Sequence, residues 1–359
     1  MPSLKNRKSG RPVIGITAGD PAGIGPEICI KALENQDVYR DMIPVVYCDR
    51  VVLEDAIRLT GLKHTLNKLN VPSDARGKFG TIDFIDASVI SRLDEFSYGR
   101  AGVRSGDAAF KYVENAVSDA LAGRIAAVVT CPVNKEAINL AGHNFAGHTE
   151  IFAHYTNTKD YGMLLSARVN DLSLNVIHVT THVSLAKACG LITRERVYRA
   201  VCLAGKALSM MGIKGGRIAV AGLNPHSSEN GLFGNEEKDS ILPAVLEAKE
   251  KGFDVTGPLP PDTVFARALA GQFDIVVAMY HDQGHIPLKL LGFMLNASTG
   301  SRAEVRGINA TIGLPVIRTS VDHGTAFDIA GKNLAGEGSL LDALDMAVRF
   351  IENFYHEPH

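Results

Sequence analysis

The sequence predicts an α/β fold in two lobes, and three observations carry that reading. Short apolar runs rich in β-formers alternate with amphipathic helical segments along the whole chain, the pattern of mostly parallel sheets covered by helices. The 359 residues, 46% of them hydrophobic, exceed one ordinary domain, so two lobes are the default. Polar clusters recur just after the apolar runs, where open α/β folds collect their function.

The first strand is Val13–Thr17, and a helix over residues 26–35 follows, opened by Pro26, a residue suited to a first helical position. A strand over 45–48 and a helix over 53–59 come next. A longer helix spans 107–122, with Val113, Ala116, Val117, Ala120 and Leu121 on one face. Residues 126–130 read as a buried strand, and later strands fall at 163–166, 173–179, 217–221 and 275–280. Helices are placed at 194–211, 240–251, 263–270 and 340–354, and a short strand over 315–317 ends at Arg318. No repeat or low-complexity linker marks a boundary. The lobes are set at residues 11–140 with 305–359, and at 141–304.

A net charge of −2 gives no electrostatic case for nucleic acid or an anionic membrane as partner. Residues 1–11 are polar and basic without an apolar core, a frayed tail and not a signal peptide. No window approaches the roughly 20 apolar residues of a membrane span. Cys29, Cys48, Cys131, Cys189 and Cys202 are scattered; they read as small core residues in a reducing cytoplasm.

Residues 19–27, GDPAGIGPE, follow the first strand. They read equally as an anion-binding turn and as a plain strand-to-helix connection. They are not a dinucleotide fingerprint, because Ile28 stands where a third glycine belongs. Lys135 reads as a solvated helix residue or a cation of a site. His148 and Thr149 offer donors at a helix start, where an anion is favoured, although Thr149 also suits an N-cap.

Three histidines, His182, His226 and His281, each stand just beyond an apolar strand. Strand ends converge, so three neutral imidazoles there suit a divalent metal with an open position. Asp282 is placed to orient a ligand; Asp262 is a similar candidate or a helix N-cap. Lys289 lies in an apolar stretch, either snorkelling or held for an anion. Asn309 and Arg318 follow, and the planar fork of Arg318 suits phosphate or carboxylate.

The combination GDPAGIGPE, GHTE, TTH, GLNPH, GPLPPDT, YHDQGHIPLK and RTSVDHGTAFDIAGK resembles the 4-hydroxythreonine-4-phosphate dehydrogenase family of pyridoxal-phosphate biosynthesis, over nearly the whole chain after Arg11. The runs GHIPLKLL and NGLFG make it more similar to a second branch, acting on D-threonate or D-erythronate 4-phosphate. The resemblance implies a fold like the isocitrate and isopropylmalate dehydrogenases, with a cleft between two lobes and NAD bound without the usual glycine fingerprint. It implies a homodimer with a shared active site. A divalent metal (Zn, or Mg, Mn or Co) would sit on His182, His226 and His281, one of them from the second subunit. Substrate contacts would fall on His148, Thr149, Lys289, Asn309 and Arg318. Residues 294–306 look like an insertion relative to the biosynthetic branch.

The implied reaction is oxidation at C3 of the phosphorylated acid, then decarboxylation to dihydroxyacetone phosphate. Lys289, Asp262 and Asp282, in that order, are the candidate proton acceptors. Three rivals stand beside it: the biosynthetic substrate 4-hydroxy-L-threonine 4-phosphate, a three-histidine metal hydrolase, and a sugar-phosphate binding protein.

Overall fold

The computed structural model describes residues 10–169, 172–292 and 307–354. Most of the expected basic tail and all of the expected insertion at 294–306 lie outside the described residues. The chain begins with β1 (Val13–Thr17), α1 (Gly25–Ala32), α2 (Gln36–Asp41), β2 (Ile43–Tyr47), α3 (Arg50–Thr60), β3 (Thr65–Leu69) and β4 (Thr81–Ile85). It continues through α4 (Val103–Leu121), β5 (Ala127–Thr130), α5 (Lys135–Leu140), α6 (His148–Tyr155), β6 (Gly162–Val169), β7 (Leu172–His178), α7 (Leu185–Gly190) and α8 (Arg194–Met210). Next come β8 (Ile218–Ala221), α9 (Leu242–Glu250), β9 (Val255–Leu259), α10 (Val264–Leu269), β10 (Ile275–Ala278), α11 (His281–Gly292), β11 (Gly307–Ile312), β12 (Ile317–Val321) and α12 (Gly338–Phe354).

The chain divides into two compact units, which meet in sequence at Lys159–Asp160, at Gly313–Leu314 and at Ile351–Glu352. In the first, all strands are parallel, in the order β3-β4-β2-β1-β5-β12. β1, β2 and β12 are buried from end to end, as strands covered on both faces must be. In the second, the order is β11-β6-β7-β10-β8-β9. There β6 pairs antiparallel with β11 and β7, and the rest are parallel. The core of this unit includes Leu174, Val176, Ala219, Val264 and Val276, and α11 packs Leu288 and Leu291 against it. Each such leucine contributes roughly 2 kcal/mol, which decides which face of α11 turns inward.

Local chemistry sets the element ends. Asn35, Asn134, Ser184 and Thr193 cap α2, α5, α7 and α8 through side-chain oxygens, and Gly61 at φ +70° ends α3. Three expectations need correction. Arg318 does not end a strand over 315–317: Gly313 (φ +105°) and Pro315 hold a turn, so β12 starts later and Arg318 lies inside it. The helix expected over 240–251 is a π-turn, Glu237–Ile241, running into α9. Cys29, Cys48 and Cys131 are core residues, but Cys189 is exposed and Cys202 half-buried.

The loop over residues 19–27 is a strand-to-helix connection. Several of its N–H groups are bonded within the protein: Asp20 donates to Pro132 O (3.0 Å), Gly23 to Asp20 O (2.9 Å) and Ile24 to Thr325 O (3.1 Å). Ala22 N–H donates to Asp20 Oδ1 (2.9 Å). Gly25 is required because a Cβ there would lie 2.0 Å from Ala18 O. No helix among the described residues is long and apolar enough to cross a membrane.

Asp20 is fully buried, and burial pushes its carboxyl up to about 6, against hydrogen bonds from Ala22 and Ser105 that lower it. The folded state therefore keeps this proton to higher pH than the unfolded chain. The cost of ionising Asp20 grows as pH rises from the ordinary aspartate value of 3.8 toward about 6, then stays constant, on the order of 3 kcal/mol. Asp20→Asn removes that pH-dependent cost. In thermal melts, the variant-minus-wild-type difference in Tm is expected to rise from about pH 4 to about pH 6.5 and then level off. A difference that stays flat across this range would show Asp20 ionising normally.

Candidate active site

In the first unit, four polar groups gather at the start of α6. Gly147 is its N-cap, so His148 and Thr149 are its first two residues and Thr149 is not the cap. Arg318 is 3% exposed; its Nη2 donates to Thr130 Oγ1 at 2.8 Å, and its guanidinium carbon sits 5.8 Å from the Phe152 ring centre. Burial lowers its pKa to about 10, with Glu150 opposing, so it keeps its charge at neutral pH. Burial, then Arg318, then Lys135 hold His148 well below the usual imidazole range. His148 is therefore neutral, and its buried Nε2 has no hydrogen-bond partner among the described residues. The Lys135 side chain stands 3.5 Å from where a Cβ on Gly147 would lie. A fixed guanidinium, a second cation, a neutral imidazole and a helix N-terminus form an anion cradle.

In the second unit, β7, β10 and β8 are parallel neighbours, with Ala278 opposite His178 and Val277 opposite Val220. Their carboxyl ends lie along one edge, and His182, His281 and His226 each stand beyond one of them. The structure brings two of the three together: the His182 and His281 rings are 5.7 Å apart between centres. Both line an open cavity with Thr181, Ser184, Leu185 and Tyr280. His226 stands on a separate loop, and among the described residues no three of His, Cys, Asp and Glu are grouped to hold a metal ion. Asp282 Oδ1 lies 2.6 Å from His281 Nδ1, the carboxylate backing that orients a ligating imidazole through its other nitrogen.

Two further histidines join this cluster. His285 stacks on His281 at 3.6 Å and lies 4.9 Å from His178, and His285 Nδ1 donates to His281 O (2.9 Å). His178 is buried, and neither ring nitrogen has a partner among the described residues. Burial, then His285 and His281, push its pKa down to about 3. Lys289 is half-buried farther along the same helix; residues four apart share a face, so His281, His285 and Lys289 form one stripe.

His226 opens an unusual stretch of backbone. His226, Ser227, Ser228, Glu229 and Asn230 all have positive φ, between 47° and 64°. A left-handed turn costs L-residues roughly 1–2 kcal/mol each, and it persists only where neighbours over-determine it. Asn309 lies in β11 with a buried Oδ1 that has no partner among the described residues. Asp262 is exposed on the turn before α10, whose N-cap is Thr263; it is not a cap. Of the expected substrate contacts, His148, Thr149 and Arg318 belong to the first unit and Lys289 and Asn309 to the second. Sequence reading overlooked His178 and His285, although His285 falls one helical turn beyond His281.

A family model described as pyridoxal phosphate biosynthetic protein PdxA matches residues 40–347. The D-threonate 4-phosphate dehydrogenase of Cupriavidus necator is 49% identical, across 93% of this chain and 95% of that protein. A solved 4-hydroxythreonine-4-phosphate dehydrogenase from Klebsiella pneumoniae superposes with a TM-score of 0.83 at 42% identity, covering 96% of this chain and 99% of that one. A terephthalate 1,2-cis-dihydrodiol dehydrogenase from Burkholderia xenovorans superposes at 0.63 with 32% identity, covering 94% and 98%. The chain belongs to the PdxA family, and it is an oxidoreductase of the dehydrogenase class.

Proposed function

We propose that this chain oxidises a 4-phosphorylated four-carbon hydroxy acid, D-threonate or D-erythronate 4-phosphate, at C3, with decarboxylation then giving dihydroxyacetone phosphate. The observation that carries the phosphate is the buried Arg318 charge beside the neutral His148 at the start of α6. A phosphate dianion leaving water needs at least one fixed positive charge and several donors, and this set supplies them. The name of the Cupriavidus necator relative supports the threonate backbone. The name of the Klebsiella pneumoniae relative keeps 4-hydroxy-L-threonine 4-phosphate as the second reading.

The donor set of the second unit fits a divalent metal (Zn, or Mg, Mn or Co). Imidazoles are suitable ligands, and the His281–Asp282 pair at 2.6 Å is the backing such a ligand uses. His182, His226 and His281 would hold it. When bound, the metal supplies Lewis-acid polarisation of the hydroxyl, and NAD supplies the hydride acceptor. The chain's own residues then have separate tasks. Arg318, Lys135, His148 and Thr149 bind the phosphate. Asn309 brings a buried acceptor oxygen that has no protein partner among the described residues. Asp282 orients His281. Lys289 or Asp262 accepts the hydroxyl proton, and Lys289 is preferred because it shares the helix of His281. Free, mostly buried cysteines fit a cytoplasmic enzyme.

A homodimer is part of this proposal. Ile286 and Leu290 stand 65% and 71% exposed on the outer face of α11, and Leu232 and Phe233 are exposed after the His226 turn. A second copy would cover these side chains and could complete the ligand set from its own histidines.

Three outcomes test the proposal. In a screen of 4-phosphorylated threonate, erythronate and hydroxythreonine, the first two are expected to drive NAD reduction with release of dihydroxyacetone phosphate. Turnover of hydroxythreonine 4-phosphate alone would transfer the chain to the second reading. Arg318→Lys is expected to raise KM for the phosphorylated substrate at least tenfold, about 1.4 kcal/mol, with little change in KM for NAD; equal effects on both, with a lowered Tm, would reduce Arg318 to a brace. Leu290→Glu is expected to shift the protein from dimer to monomer in sedimentation. A dimer of unchanged stability would take α11 out of the interface.

A further inference from the structure

We propose that Gln283 and Glu237 are positioning residues that clamp the His226 loop to the start of α11. The inference rests on reading His226 and His281 as metal ligands. Gln283 is 8% exposed, and its amide spans two strand ends. Its Oε1 accepts from Met279 N–H at 2.6 Å, just beyond β10, and its Nε2 donates to Gly222 O at 2.8 Å, just beyond β8. Glu237 is 3% exposed. Its Oε1 accepts from the N–H groups of Leu223 and Asn224, each at 2.7 Å, and its Oε2 accepts from Asn224 Nδ2 at 2.9 Å.

These bonds leave the loop little freedom. Gly222 N–H donates to Leu259 O (2.8 Å), and Ser227 N–H donates to Asn224 O (3.1 Å). The backbone from Gly222 to Asn224 is thus tied on both sides just before the left-handed turn begins. A Cβ on Gly222 would lie 2.9 Å from Ser227 Oγ and 3.1 Å from Glu237 Oε1, so the clamp is also closely packed. Without it, the segment leading into residues 226–230 loses these ties, including the placement of Asn224 O, which accepts from Ser227 N–H, and a run of positive φ values persists only where its surroundings over-determine it. The same Gln283 follows His281 on α11, so one side chain sets the spacing between the two histidine-bearing segments. Donors of a metal site must hold their places to within about half an ångström, and the clamp supplies that rigidity.

The test uses full-length protein and Zn²⁺ as the probe, with affinity read by competition against a chromophoric chelator. Inorganic phosphate binding, read by calorimetry on the same samples, reports the first unit. Gln283→Met keeps the length and removes both bonds; Glu237→Leu removes the acceptors; Glu237→Gln retains Oε1. The Met and Leu variants are expected to weaken Zn²⁺ binding about ten- to hundredfold, with phosphate binding unchanged and Glu237→Gln close to wild type. If His281→Ala loses Zn²⁺ while the Met and Leu variants bind at wild-type strength, the clamp is overturned alone. If wild type and His281→Ala bind Zn²⁺ equally, the metal reading fails and the clamp fails with it. Should a variant lose phosphate binding too, Gln283→Glu, which keeps the bond from Met279, decides by the same criterion.

Discussion

In a parallel sheet every strand delivers its carboxyl end to the same edge, and both units of this chain are organised by that constraint. In the second unit it aligns the ends of β7, β10 and β8, and each segment that follows carries a histidine. In the first unit it sets β12 beside β5, with Arg318 opposite Val128. The guanidinium reaches along the strand to Thr130, the last residue of β5. A buried arginine inside a strand would be costly without such partners. The sheet register therefore decides where the fixed charge can stand, and that charge in turn decides the state of its neighbours.

His148 and His178 are both kept neutral, by different balances of the same two effects. Burial leads in each case. Around His148 the added effect is cationic, from Arg318 and Lys135; around His178 it comes from the other imidazoles, His285 and His281. A neutral imidazole keeps one N–H to donate and one lone pair to offer. That is the form an anion cradle can use as a donor and a metal can use as a ligand. Charging either histidine would cost burial and repulsion together, so neither works as a mobile proton carrier near neutral pH.

Much of this was legible in the sequence. β1 is a continuous apolar run, and its bounds were read without error because a strand covered on both faces has no polar interruption. The helices α8, α10 and α12 lie within two residues of their expected bounds. β3 and β9 carried little signal. β3 is half-exposed and polar, and β9 contains Gly257 and Pro258, tolerable because it is an edge strand. No composition shift marks the crossings at residues 159–160 and 313–314. The candidate histidines stood out because each follows an apolar run, whereas the reach of Arg318 to Thr130 and the amide of Gln283 depend on strand neighbours far apart in sequence. The left-handed turn at 226–230 was invisible for another reason: Ser227, Ser228 and Glu229, its middle residues, ordinarily avoid that conformation.

The family context sharpens what the anion cradle is for. The Burkholderia xenovorans relative is named for a dihydrodiol and not for a phosphorylated acid, yet it shares the fold at 32% identity. A metal that polarises a hydroxyl, and a nicotinamide that takes hydride from the same carbon, need only that local arrangement and are indifferent to the far end of the substrate. Selection for a phosphate must come from groups that meet the phosphate. In this chain the groups suited to it are Arg318, His148, Thr149 and Lys135, of which Arg318 alone is both charged and buried in a sheet. An uncharged substrate offered to these groups would desolvate the Arg318 guanidinium without returning the ionic hydrogen bonds that a phosphate makes, which penalises binding more than a missing contact would. Under the proposed function, Arg318, His148, Thr149 and Lys135 would set the charge of the substrate, a selectivity that the hydroxyl chemistry by itself does not require.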